Sequence, residues 1–410
     1  RFERLKRQRM RFQSVPIRLN LTPAEVARLA VDGYRFPGVE VSAELIRTYP
    51  KRELTAHVLG YVGRINEKEL ASIDKGDYAG TNFIGKGGVE KAHEEILHGR
   101  VGYQQVEVNA RGRVLRTLEN TPPEPGRDIY LYLDIALQKA TAEALGNRRG
   151  AVVAIDPRTG GVLAMVSQPS FDPNPFVEGI GQADYNALLQ SPDKPLYDRA
   201  VRGQYPPGST VKPFVAMGGL ATGVTNPRKG TYCPGSFSLP GQSHRFRCWR
   251  RGGHGTVSME QAIVQSCDVY FYSLANQMGI DRLHDSLEQF GFGTRTGIDV
   301  SGELPGLLPS RDWKARVRKQ PWYPGETLIV GIGQGSFLAT PIQLAAATAA
   351  MANRGRYIQP QLAYANRVPG AATATKFPTT ARQIDVGDPR YWDLIVGYMA
   401  QVVERGTARR

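Results

Sequence analysis

The sequence predicts an α+β protein built in two units: an elongated N-terminal module over residues 1–125 and a more regular domain over residues 126–410. Three observations carry this. The 410 residues exceed one ordinary domain. Thr121-Pro122-Pro123-Glu124-Pro125-Gly126 can sustain neither a helix nor a ladder, so it reads as the linker. Beyond it strands come first and helices follow, the order of an α+β domain.

Thr22-Pro23-Ala24-Glu25 opens the first helix, with a Thr cap, Pro in the first turn and Glu at the capping-box position. Short runs broken by Gly and Pro follow, such as Phe36-Pro37-Gly38-Val39-Glu40-Val41 and Val101-Gly102-Tyr103, and read as short strands and turns. In the second unit Ile129–Leu133 reads as a strand, and Asp134 caps a helix carrying Leu137, Ala140 and Leu145. Ala151–Ile155 and Val162–Val166 read as paired strands across the turn Asp156-Pro157-Arg158-Thr159-Gly160-Gly161. Ser258, with Gln261 at the box position, caps a helix over Met259–Val264.

Hydrophobic residues make up 41% of the chain, enough for real cores. No apolar run reaches the 18 or more residues of a membrane span. The chain begins at Arg1, which reads as a processed product that an anchor could have preceded. The net charge of +14 favours an anionic partner. That charge is scattered apart from Arg1, Arg4, Lys6, Arg7, Arg9 and Arg11, and no recognition helix or finger accompanies it, so no nucleic-acid binding is expected.

Ser-x-x-Lys occurs at Ser72–Lys75, Ser191–Lys194 and Ser209–Lys212. The first two sit in polar, turn-rich surroundings. Ser209 follows the stiff Tyr205-Pro206-Pro207-Gly208 and precedes the apolar Val211, Phe214, Val215, Ala216 and Leu220, which places it at the start of a buried helix. One turn later, Lys212 falls on the same side. A serine hydroxyl needs an adjacent base to act as nucleophile, and a partly desolvated lysine can take its proton. A helix N-terminus adds positive potential for a developing oxyanion. The bland alternative is a Ser cap beside a solvated Lys. Ser266-Cys267-Asp268 fits the Ser-x-Asn/Asp element of serine acyltransferases, in a turn between two buried helices.

Tyr205–Lys212 resembles the active-site segment of class B penicillin-binding proteins. So do Asp156–Gly161, Ser266–Asp268 and Gly331-Ile332-Gly333-Gln334-Gly335, while Arg11–Ile17 and Phe36–Val39 resemble the cell-elongation members; the resemblance covers nearly the whole chain. It implies a transpeptidase domain, an antiparallel sheet flanked by helices, standing on a pedestal or dimerisation-type module. It implies a D,D-transpeptidase in which Ser209 attacks the D-Ala–D-Ala bond of a peptidoglycan stem peptide. Lys212 is the base, Ser266 relays a proton to the leaving amine and Asp268 holds the polar network. β-Lactams would trap Ser209. The implied partners are a membrane glycan polymerase and a periplasmic rod-shape scaffold protein. The implied location is the periplasm, with an inner-membrane anchor preceding this chain. The family's third motif, Lys-Ser/Thr-Gly, does not occur among the 410 residues and is expected beyond Arg410. Rival readings are a D,D-carboxypeptidase and a non-catalytic scaffold or β-lactam sensor.

Cys233, Cys248, His254 and Cys267 are three thiols and an imidazole within 35 residues, a donor set suited to structural zinc. A Cys233–Cys248 disulfide with Cys267 free, or three unrelated cysteines, are the alternatives. His244 is a rival ligand flanked unfavourably by Arg245 and Arg247. Gly331–Gly335 lacks the Gly-Lys-Ser/Thr of a phosphate loop and reads as a strand-to-helix passage near the cleft. Trp313, Trp322 and Tyr323 amid Lys314, Arg316, Arg318 and Lys319 read either as a glycan or membrane contact or as a plain exposed loop.

Overall fold

The computed structural model describes residues 17–18, 21–43, 45–74, 76–78, 81–109 and 114–409. The basic run at Arg1–Arg11, most of the Arg11–Ile17 signature and Lys75 lie outside them.

Helix α1 (Pro23–Asp32) begins where the capping box places it, with the Thr22 and Glu25 side chains each bonded to the other's backbone N–H. No described residue between 21 and 48 is buried, so this stretch forms no core of its own. Phe36–Val41 begins in a turn, Val39 N–H donating to Phe36 O at 3.1 Å, and among the described residues no strand forms there. The module's regular parts include the antiparallel pair β1 (Val62–Arg64) and β2 (Phe83–Gly85), helix α2 (Gly88–Ala92), the hairpin β3 (Tyr103–Val108) with β4 (Val114–Thr121), and the short helices Ala56–Leu59, Glu67–Leu70 and Glu94–His98. The proline linker is pinned rather than loose: Arg100 and Glu124 exchange backbone hydrogen bonds at 2.9 Å.

In the second unit β5 (Asp128–Leu131) precedes α3 (Ile135–Leu145), whose first two free amides bond Asp134. Strands β6 (Gly150–Ile155) and β7 (Val162–Gln168) pair antiparallel across the expected turn. Helix α3 and α4 (Pro341–Ala352 in this chain's later half) pack on that pair. The main core gathers around α5 (Lys212–Ala221), α6 (Met259–Val264), α7 (Asp268–Glu288) and α8 (Arg390–Arg405), with Phe214, Phe271, Phe292 and Phe337 fully buried. Burying a side chain of this size contributes roughly 1.5–3 kcal/mol, so this cluster fixes the floor on which the site stands. Among the described residues no helix is long and apolar enough to cross a membrane.

The two units share a buried apolar cluster, with Val58 and Val89 packed among Val162, Met165 and Leu362, and are joined by polar contacts as well. Gln138 Nε2 donates to Leu54 O at 2.9 Å and Ser170 Oγ to Glu53 O at 2.8 Å. His93 Nε2 lies 3.0 Å from Asp299 Oδ2, and Asp299 also accepts the backbone amides of Leu362 and Ala363.

Candidate active site

Ser209 sits in a 3-10 turn, Gly208–Val211, and α5 begins only at Lys212. Ser209 therefore leads into the buried helix instead of opening it, since Pro206 and Pro207 tighten the turn ahead of it. Ser209 is exposed, whereas Lys212 retains 1% exposure.

Lys212 Nζ makes three hydrogen bonds: to Asp268 Oδ1 at 2.7 Å, Ser266 Oγ at 3.0 Å and Ser266 O at 3.0 Å. An ammonium has three protons, so its donors are fully used. The Phe271 ring centroid lies 5.5 Å from Nζ, giving the cation a further attractive face. Ser209 takes none of these bonds, and catalytic hydrogen bonds often form only with substrate in place. Ser266 is held at φ +53, a sparsely populated conformation for a residue with a side chain. It turns the chain from α6 into α7, and Cys267 caps α7 beneath it. Of the three Ser-x-x-Lys pairs, Ser209–Lys212 is the one brought against Ser266-x-Asp268. Ser191 merely ends a surface helix, and Ser72 bonds its own turn at Glu69 O.

The Gly331–Gly335 passage follows a helix, Pro324–Val330, and not a strand. Its role is close approach: Gly208 N donates to Gly333 O at 2.8 Å. Gly333 has φ +72, and a Cβ there would fall 2.3 Å from Gly208 O, so no larger residue lets the loop meet the Ser209 turn.

Cys233, Cys248, His254 and Cys267 converge, their ligand atoms all within 4.8 Å of one another. The three cysteines are buried, and none is paired in a disulfide. His254 Nδ1 lies 3.6 Å from Cys233 Sγ and 3.5 Å from Cys248 Sγ. Tetrahedral zinc bonded at about 2.3 Å to sulfur and about 2.0 Å to nitrogen separates such ligands by about 3.6 Å, so these residues fit the ion. Burial pushes the Cys267 thiol well above its usual range, with the neighbouring Cys233 and Cys248 thiols adding to it. A divalent cation reverses that penalty by favouring thiolate. His244 lies outside the cluster, its ring against Phe246.

Sequence reasoning missed Trp249. Its backbone N–H donates to Asp268 Oδ2 at 2.9 Å, so the loop carrying Cys248 and His254 holds the carboxylate that Lys212 uses. No pattern marks it in the sequence beyond its place next to Cys248. Trp322 is half-buried and Tyr323 exposed, and both rings stand against Lys314, which is buried, ion-paired with Glu326 and 4.2 Å from the Tyr323 ring centroid. Lys314 and Trp322 thus have a structural role, while the Tyr323 ring stays open to solvent.

The fold and this constellation define a protein of the active-serine, Ser-x-x-Lys class. The penicillin binding protein transpeptidase domain matches residues 150–410, and the penicillin-binding protein dimerisation domain matches residues 2–131. The chain belongs to the penicillin-binding protein transpeptidase family. It is 50% identical over 397 residues to peptidoglycan D,D-transpeptidase MrdA of Acinetobacter baumannii, covering 97% of this chain and 59% of that protein. The crystal structure of Pseudomonas aeruginosa PBP2 in complex with WCK 5153 matches with TM-score 0.81 and 49% identity, over 90% of this chain and 77% of that one. The PBP2 of the Helicobacter pylori complex between PBP2 and MreC matches with TM-score 0.84 and 31% identity, over 98% and 73%.

Proposed function

We propose that this chain carries the reacting serine of a peptidoglycan D,D-transpeptidase of the elongation type, working in the periplasm from an inner-membrane anchor. One observation carries the reading: an exposed Ser209 stands one turn ahead of a buried Lys212 that is bonded to both Ser266 and Asp268. In this reading Ser209 Oγ attacks the penultimate D-Ala carbonyl of a donor stem. Its proton passes to Lys212 once Lys212 has released one of its own towards Ser266. Ser266 delivers a proton to the departing D-Ala amine. An amine of a second stem then takes the acyl group. The relative's name, peptidoglycan D,D-transpeptidase MrdA, supports the substrate class.

A structural zinc at Cys233, Cys248, His254 and Cys267 belongs to the same reading. It would supply no chemistry, and would fix the turn that presents Ser266. β-Lactams, which share the D-Ala–D-Ala shape, are the expected inhibitors. A rod-shape scaffold of the MreC kind and a membrane glycan polymerase are the proposed partners, the first favoured by the Helicobacter pylori complex.

The test is cross-linking by the full-length protein supplied with nascent glycan bearing pentapeptide stems. Cross-linked stems should appear with wild type and vanish with Ser209→Ala, whose stability should stay within about 0.5 kcal/mol because the side chain is exposed. Cross-linking by the Ser209→Ala protein would sink the proposal. Free D-Ala without cross-links would turn it to the carboxypeptidase reading.

A further inference from the structure

Of the four tryptophans, Trp392 is buried, Trp313 and Trp322 are half-buried, and Trp249 is 59% exposed. Leaving so large an apolar surface in water forgoes the gain of burial. Yet this ring is held in place. Its indole Nε1–H donates to Gln265 O at 3.0 Å, its backbone N–H to Asp268 Oδ2 at 2.9 Å, and its plane stands edge-on to His254 at 5.4 Å. It is therefore a fixed apolar platform immediately beside Ser266.

The acyl-transfer reading, on which this inference rests, dictates what must pass there. The acceptor nitrogen attacks the acyl carbon of the Ser209 ester, a C–N bond forms and the C–Oγ bond breaks. The proton lost by the amine returns to Ser209 Oγ through Ser266 Oγ and Lys212 Nζ. The acceptor amine must therefore lie within reach of Ser266 Oγ, and the chain bearing it must leave the cleft over the surface next to Ser266. That surface is the Trp249 indole. Arg250 follows it in the chain and is exposed. A cation at the end of an apolar platform suits a peptide whose aliphatic stem ends in a carboxylate.

We propose that Trp249 and Arg250 form the acceptor subsite, taking the amine-bearing side chain and adjacent carboxylate of the second stem, and so decide whether the Ser209 ester passes to an amine or to water. Water needs no platform, so the two fates should separate when the ring is removed.

The experiment forms the Ser209 ester on the full-length protein with a thioester donor ending in D-Ala. It then offers a stem peptide with a free diamino-acid amine and measures amide against hydrolysed acid by mass spectrometry. Trp249→Ala should lower the amide-to-acid ratio by about tenfold, the loss expected for an aromatic anchor worth about 1.4 kcal/mol. Trp249→Phe, which keeps a ring but loses the Gln265 bond, should fall between. Arg250→Ala should weaken a carboxylated acceptor more than the same acceptor amidated. Overturning results are an unchanged ratio in Trp249→Ala, or a loss confined to ester formation, which would put the ring on the donor side. If wild-type Ser209 forms no ester, the acyl-transfer reading itself fails and takes this inference with it.

Discussion

Lys212 is the residue on which the site turns, because its three protons are committed to Ser266 and Asp268 in a space with almost no water. A buried ion pair adds little net stability, but breaking one strands the partner's charge, at a cost of about 3–5 kcal/mol. Asp268→Ala should accordingly lower the unfolding free energy measured by urea titration by an amount in that range, while Asp268→Asn, which still accepts a bond, should lose much less. Equal, small losses in both would contradict the buried-pair description. At this scale the meeting of Lys212 with Ser266 and Asp268 was legible, because the two motifs carry fixed residue types at fixed spacing. Trp249 was not, because its part is played by a backbone N–H and an exposed ring, and neither leaves a spacing pattern. The pairing of Trp322 and Tyr323 with Lys314 was equally hidden, since only the fold shows that Lys314 is buried beside those rings.

At the scale of elements, helix starts were the most readable features, since Thr22, Asp134 and Ser258 cap where local rules put them. The start at Ser209 was misjudged by three residues because two prolines favour a tighter turn there. Gly331–Gly335 was misassigned because glycine spacing tells of close approach without telling which elements approach. Two loops brace the reacting turn. Gly333→Ala should push the Gly208–Ser209 turn aside and slow acylation of Ser209 by benzylpenicillin by about tenfold or more, as small displacements of reacting groups do. A normal rate would show that the turn is held from elsewhere. Cys248→Ser should lose bound zinc, measured by atomic absorption, and lower the thermal midpoint. Intact stability together with no zinc in the wild-type protein would remove the metal from the account.

The whole molecule is two units meeting through a shared apolar cluster, in which Val58 and Val89 pack with Val162 and Met165, and through a few specific polar groups, and pH acts at that junction. His57, in the short helix Ala56–Leu59, is edge-on to Phe171 of the second unit at 5.4 Å. Burial lowers its pKa below the ordinary 6.5, the Asp198 carboxylate opposing the shift only in part. The folded state then binds fewer protons than the unfolded one as pH falls through 6.5, so stability should drop below that value. Burial raises the Asp198 carboxyl in turn, which favours the folded state at still lower pH. The difference between wild type and His57→Gln isolates the histidine: unfolding midpoints should draw together or cross between pH 7.5 and 5.5, and parallel curves would refute the buried neutral imidazole. The junction was not legible in the sequence, because its hydrogen bonds join residues such as His93 and Asp299 that are remote along the chain.

The most direct measurement is the intact mass of the full-length protein after benzylpenicillin, followed by peptide mapping. One penicilloyl group per chain should be found on the peptide containing Ser209, and none on the Ser209→Ala protein. An adduct on another residue, or none on a folded wild-type protein, would contradict the assignment of Ser209 as the nucleophile.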